Sequence, residues 1–208
     1  MNSEFFYSKN DTVTSNSKSS IIKERLSLVT SHMYKQYCEH TDSAKNTNKV
    51  FSDMLKTMEE VVATMKKNFE EKGINPNNIS CTIDADKSVG ILNILWHSIS
   101  FTTRGNTKPQ ALYRSDNAPM FCGRIIALNG DFKNASMDIS DLQYPGVLSC
   151  EMASMYVPSD PNKDAVMKIR HIGNIEYKIN QSNAAREFLL KVIEIICGGG
   201  FYHEENFE

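Results

Sequence analysis

Cys150 is the residue of this chain best placed to act as a nucleophile. Gln143 stands seven residues before it, across the turn Tyr144-Pro145-Gly146. Met152, Met155 and Tyr156 follow at helical spacing. A thiol at a helix N-terminus is acidified by the helix dipole, and a nearby side-chain amide can hold an oxyanion. The same residues also fit a buried structural cysteine on a Met-rich helix. Thiol catalysis further needs a base and a group that orients it. His97 opens the alternating run His97-Ser98-Ile99-Ser100-Phe101, and Asp116 follows nineteen residues later in Ser115-Asp116-Asn117-Ala118-Pro119. A hairpin between them would bring both to one sheet edge. His171 offers a different dyad, in the order Cys before His, with Asp160 or Glu176 as the orienting acid.

These residues need elements to hold them. Residues 1–19 are rich in Ser, Asn, Thr and Lys and read as a disordered leader. Ser20 can cap a helix over 20–38, with Ile21, Ile22, Leu26, Val29, Met33 and Tyr37 on one face. The polar stretch His40 to Lys49 separates it from a stronger helix over 50–72. There Phe51, Met54, Leu55, Met58, Val61, Val62, Met65 and Phe69 form an apolar stripe that Gly73 ends. The methionines of this stripe read as core filler.

Beyond it, Asn78 to Ile83 alternates as a short strand. Ser88 to Leu95 fits either a helix or a strand. His97 to Phe101 and Gln110 to Arg114 read as a hairpin around Arg104-Gly105-Asn106. Met120 to Leu128 is an apolar run that fits a helix, closed by Asn129-Gly130. Ser136 to Leu142 reads as a strand running into Gln143, and a helix follows Cys150. Met167 to Ile179 reads as extended, and Ala184 to Ile196 as a helix stopped by Gly198 to Gly200. The expected fold is α+β: a leader over 1–19 and a single domain over 20–208. Residues 20–72 would be its helical part, an N-terminal helical pair, and 78–208 a small central mixed sheet flanked by helices.

The order His, Asp, Gln, Cys resembles the clan CE cysteine enzymes, which include the ubiquitin-like-protein proteases and the YopJ-like acetyltransferase effectors of bacterial pathogens. The resemblance is carried by Trp96-His97-Ser98-Ile99-Ser100-Phe101, Asp116, Asp141-Leu142-Gln143 and Ser149-Cys150, and spans roughly residues 50–157. It implies a papain-like or ubiquitin-like-protease type of fold. Cys150 would then take an acetyl group from acetyl-CoA and pass it to a host protein. His97 would be the general base, Asp116 its orienter, and Gln143 with the Cys150 N–H the oxyanion hole. A protease of ubiquitin or a ubiquitin-like protein would use the same residues without a cofactor. The chain departs from the family pattern at several points, two of them beside the cysteine. Gln143 lies seven residues from the cysteine where six is usual, and Glu151 stands where a glycine usually follows.

The whole-chain properties bound these readings. The chain has 208 residues, a net charge of −2 and a pI near 6.2, which gives no electrostatic reason to propose nucleic acid as a partner. No apolar run is long enough for a membrane span. The five cysteines are odd in number and irregularly spaced, so they read as reduced thiols, and no metal site is implied. The leader composition is that of a type III secretion signal, and the tail Glu204-Glu205-Asn206-Phe207-Glu208 that of a type IV substrate. A secreted effector acting in the host cytoplasm is the resulting expectation. A non-catalytic binding protein, with helices 20–38 and 50–72 as its docking face, is the alternative from a different class.

Overall fold

The computed structural model describes residues 15–103, 107–110, 120–132, 150–169 and 175–198. Among the described residues two α-helices, α1 (Ser15–Glu71) and α2 (Gln181–Cys197), accompany eight strands. These are β1 (Ile79–Ile83), β2 (Val89–Ile94), β3 (His97–Thr102), β4 (Thr107–Gln110), β5 (Met120–Asn129), β6 (Glu151–Pro158), β7 (Ala165–Ile169) and β8 (Ile175–Ile179). The chain divides into two compact units, residues 1–38 and 39–208.

The expected pair of helices is one continuous helix. No glycine or proline interrupts the chain between Ser15 and Glu71, so the polar stretch His40 to Lys49 has no residue that breaks a helix. Its small polar residues serve packing instead. Ser43 and Thr47 are buried, Thr47 Oγ1 donates to the Ser43 carbonyl (2.7 Å), and Asn46 Nδ2 donates to the carbonyls of Pro158 and Ser159. Gly73, at φ 71°, ends the helix as expected.

Within the unit 39–208 the sheet runs in the order β1-β2-β3-β5-β6-β7-β8, with β4 pairing β5. Every pairing is antiparallel, so the sheet is neither small nor mixed. The helices do not lie on both sides of it. Phe51, Met54, Leu55 and Met58 of α1 and Phe188, Leu189 and Val192 of α2 share one core. They meet Leu92, Ile99, Phe101, Ile125, Met155, Val157 and Met167, the residues on one face of the pleat. α1 approaches β5 so closely that a Cβ on Gly123 would collide with Thr47 Oγ1. Ile126 and Leu128 form a second, smaller cluster with Phe132 on the opposite face.

Three sequence expectations change here. Met120 to Leu128 is the strand β5 rather than a helix. Its residues from Ile125 to Leu128 are all buried, as in a central strand covered on both faces. Of the expected hairpin between His97 to Phe101 and Gln110 to Arg114, residues 111–114 lie outside the described residues, and Gln110 pairs Met120 of β5 rather than β3. β3 and β4 both pair β5, one after the other along the same side. The helix expected after Cys150 is the strand β6, buried along its whole length. Leu128 pairs Glu151 and Ala127 pairs Ala153, so a bulge at Glu151-Met152 breaks the two-residue alternation. Met152 and Met155 thereby reach the same core at a spacing of three, which reads as helical in sequence.

Other expectations hold. Val89 to Ile94 resolves as a strand, and the extended run near the C-terminus is the β7–β8 hairpin. α2 begins at an Asn180 cap, whose side chain accepts from the Ser182 N–H (3.0 Å).

Candidate functional site

His97 follows a two-residue turn, Leu95-Trp96, between β2 and β3, where Ile94 pairs His97. Leu95 takes φ 56°, and its N–H donates to the Asn78 carbonyl (3.0 Å), which fixes the turn. Trp96 is 82% exposed at the tip, its ring centroid 5.7 Å from that of His97. His97 itself is half-buried.

Cys150 is also half-buried, in the turn that leads into β6. Its carbonyl accepts from the Asn129 N–H (2.9 Å), and Asn129 pairs Ile99. His97 and Cys150 therefore sit at the same end of the sheet, on the two strands that flank β5. Two strand spacings across and two residues along put their Cα atoms about 12 Å apart. Side chains stand roughly perpendicular to a sheet, so these two run alongside each other more than they converge. Cys150 precedes a strand, so the helix dipole expected to acidify it is not there.

Asp116, Gln143 and His171 lie outside the described residues. Of the alternative acids, Asp160 accepts from the N–H and side chain of Asn162, and Glu176 pairs Lys168 at 2.6 Å.

Glu151, the residue after Cys150, is committed to Arg124 and Ser154. Its carboxylate, 3% exposed, takes a 2.6 Å ion pair from Arg124 Nη2. Arg124 Nε donates to Ser154 Oγ (2.9 Å), and Ser154 donates to the same carboxylate. Arg124 Cζ and Lys168 Nζ lie 5.8 Å and 5.6 Å from the centroid of the Tyr156 ring. This cluster across β5, β6 and β7 satisfies its own polar groups and acts as a cross-strand clamp. Sequence reasoning missed Arg124 and Ser154. The only signal was a charged residue inside an apolar run, which in a strand demands a buried partner.

The cysteines differ by burial. Cys122 is buried on β5, and desolvation pushes its thiol up to about 12. Burial also raises Cys81 and Cys197. Among the described residues no group of three or more His, Cys, Asp or Glu side chains could hold a metal ion, and no helix is long and apolar enough to cross a membrane.

A second candidate lies on α1. In the unit 1–38 the apolar face of the helix is open to solvent. Ile22 is 58% exposed, Leu26 59%, Val29 53%, Met33 62% and Tyr37 67%. At 100° per residue these five fall within an arc of about 80°. The exposed Ile21, Leu28 and Tyr34 lie outside that arc. The face expected over 50–72 is not available in this way, because its residues belong to the core.

The chain matches no protein-family model, no curated protein and no solved structure.

Proposed function

We propose that this protein is a non-catalytic binding module in which residues 20–38 of α1 are the docking face for a partner helix. One observation carries the reading. Five apolar side chains at helical seam spacing, Ile22, Leu26, Val29, Met33 and Tyr37, are each more than half exposed. Such a stripe gains stability by covering itself with a matching stripe, as amphipathic helices do in grooves and coiled coils. A fluorescein-labelled amphipathic peptide with leucine at both seam positions, titrated with the full chain, tests it. Saturable binding is expected, reduced at least tenfold by Leu26→Glu with Met33→Glu. Absence of binding to the unaltered chain sinks the reading.

A second reading rests on His97 and Cys150 sharing one end of the sheet. In it Cys150 is the nucleophile of a clan CE-like acyltransferase or ubiquitin-like protease with a papain-like fold, acting on a host protein. His97 is the base, with Asp116 and Gln143 as orienter and oxyanion donor. Acetyl-CoA is the acyl donor if the enzyme is a transferase. Incubation with acetyl-CoA should then add one acetyl group to the intact mass of the protein and none to that of Cys150→Ala. A ubiquitin-like electrophilic probe should label Cys150 if it is a protease. No labelling by either reagent removes this reading and leaves the first.

A further inference from the structure

We infer that the edge strand β1 pairs with β1 of a second copy of this chain, antiparallel about a two-fold axis at Cys81. Among the described residues the sheet ends at β1 on one side and at β8 on the other. The two edges are built differently. β8 carries the exposed Glu176 and Lys178, and charges on an edge discourage the addition of another strand. β1 reads Ile79-Ser80-Cys81-Thr82-Ile83, with no charge, no proline and no bulge in its pairing with β2.

The backbone of β1 is open on its outer side. In an antiparallel ladder alternate residues turn their N–H and C=O groups to the same neighbour. The Leu95 N–H donates to the Asn78 carbonyl, and the Asp84 N–H donates to the Val89 carbonyl. The even-numbered residues of this stretch therefore bond β2, and Ile79, Cys81 and Ile83 turn their backbone groups outward. The Ile79 N–H donates back to the Pro76 carbonyl. The Ile79 carbonyl and both backbone groups of Cys81 and Ile83 have no hydrogen-bond partner among the described residues.

The sequence of β1 points to a copy of itself as the occupant. It reads nearly the same in both directions. With the axis at Cys81, Ile79 stands opposite Ile83 of the second copy, Ser80 opposite Thr82, and Cys81 opposite Cys81. The Cys81 N–H then donates to the Cys81 carbonyl of the second copy, and the Ile83 N–H to its Ile79 carbonyl. Symmetry makes each bond twice. The hydroxyls of Ser80 and Thr82 meet in the closely spaced type of pair. The half-buried side chains of Cys81 and Ile83 gain apolar neighbours of their own kind. Just beyond the strand, Asp84 stands opposite Asn78, so no like charges meet. The ends of the strand fix this register. Moving the axis either way runs one end into the Pro76–Asn78 turn or into the turn closed by Lys87 N–H to the Asp84 carbonyl. A strand pair this short lies at the small end of specific interfaces, so association in the micromolar range is expected.

Sedimentation equilibrium of the full chain over a 100-fold range of concentration tests the inference. The mass should rise to twice the 23.5 kDa of one chain. Ser80→Lys with Thr82→Lys sets like charges opposite each other and should return the mass to one chain, with circular dichroism and melting of the dilute protein unchanged. Ser80→Lys with Thr82→Glu sets opposite charges there and should keep the dimer. In a Cys81→Ala background, oxidising Ser80→Cys chains mixed with Thr82→Cys chains should give a disulfide that neither variant gives alone.

A single-chain mass for the unaltered protein across the whole range overturns the inference and leaves the docking reading of 20–38 untouched. A dimer indifferent to the paired lysines also overturns it. So does a dimer abolished by Leu26→Glu with Met33→Glu, since the copies would then be held through α1. A disulfide formed by either cysteine variant alone overturns the axis at Cys81.

Discussion

The two stretches of α1 carry the same helical period and meet opposite fates. Over residues 50–69 the apolar positions form a broad face, and Phe51, Met54, Leu55 and Met58 are buried against the sheet. Over residues 20–38 the large apolar side chains are exposed, and Ile21, Leu28 and Tyr34 lie off the main stripe. The period of a pattern says that a helix has an apolar side. Whether that side is buried depends on what stands against it, and over residues 50–69 the sheet and α2 do.

Substitution should break this contrast most sharply at the aromatic residues. Phe51→Ala should cost about 3–5 kcal/mol of unfolding free energy in urea titration, as a large core side chain is lost. Tyr37→Ala, measured in the Leu26→Glu, Met33→Glu background, should stay within about 0.5 kcal/mol. A comparable loss at both positions would mean that the two stretches are equally packed.

The next largest effect extends the comparison to the opposite face of the sheet. Arg124→Met leaves the Glu151 carboxylate buried without its cation, so a loss of about 3 kcal/mol is expected. Arg124→Met with Glu151→Gln should recover part of it. If the single variant is neutral, the clamp does not contribute.

Gly123→Ala tests how closely the helix lies on β5. Its new Cβ would meet Thr47 Oγ1, at an expected cost of about 1–3 kcal/mol. Thr47→Ala should relieve part of it, because two of the three clashing atoms go with the side chain. Additive losses in the double variant would refute that contact.

The last test is in pH. The folded Cys122 thiol keeps its proton up to about 12, and its ordinary value is 9.0. Between those values the folded state binds more protons than the unfolded chain. Stability is therefore unaffected below pH 9 and falls as pH rises towards 12, by at most about 1.4 kcal/mol per unit. The Cys122→Ala variant should show a shallower fall in thermal melts over the same range.

Much of the fold was legible because local chemistry and packing agreed. Gly73, Asn129-Gly130 and the helix at Ala184 to Ile196 carry signals that need no partner to be read. The stripe at 50–69 is wide enough to specify burial. What was not legible depended on neighbours. The run Met120 to Leu128 is apolar on both faces, and only the strands on either side of it make it β5. The bulge at Glu151-Met152 produced a false helical spacing after Cys150. The polar stretch His40 to Lys49 looked like a break because Ser43 and Thr47 are buried by a close approach that sequence does not display. For the candidate site, His97 was read correctly as the start of a strand. Its expected hairpin differs because β3 pairs β5, and Gln110 pairs β5 rather than β3.

The turn at Leu95-Trp96 also sets the optical properties of the molecule. Trp96 is the only tryptophan in the chain and stands in water at a hairpin tip. Its emission should therefore be red-shifted already in the folded state and change little when the core melts. With the His97 imidazole beside it, the same emission should instead respond to changes around that ring. Intrinsic fluorescence, the usual monitor of unfolding, becomes in this protein a local reporter of whatever approaches the His97 end of the sheet.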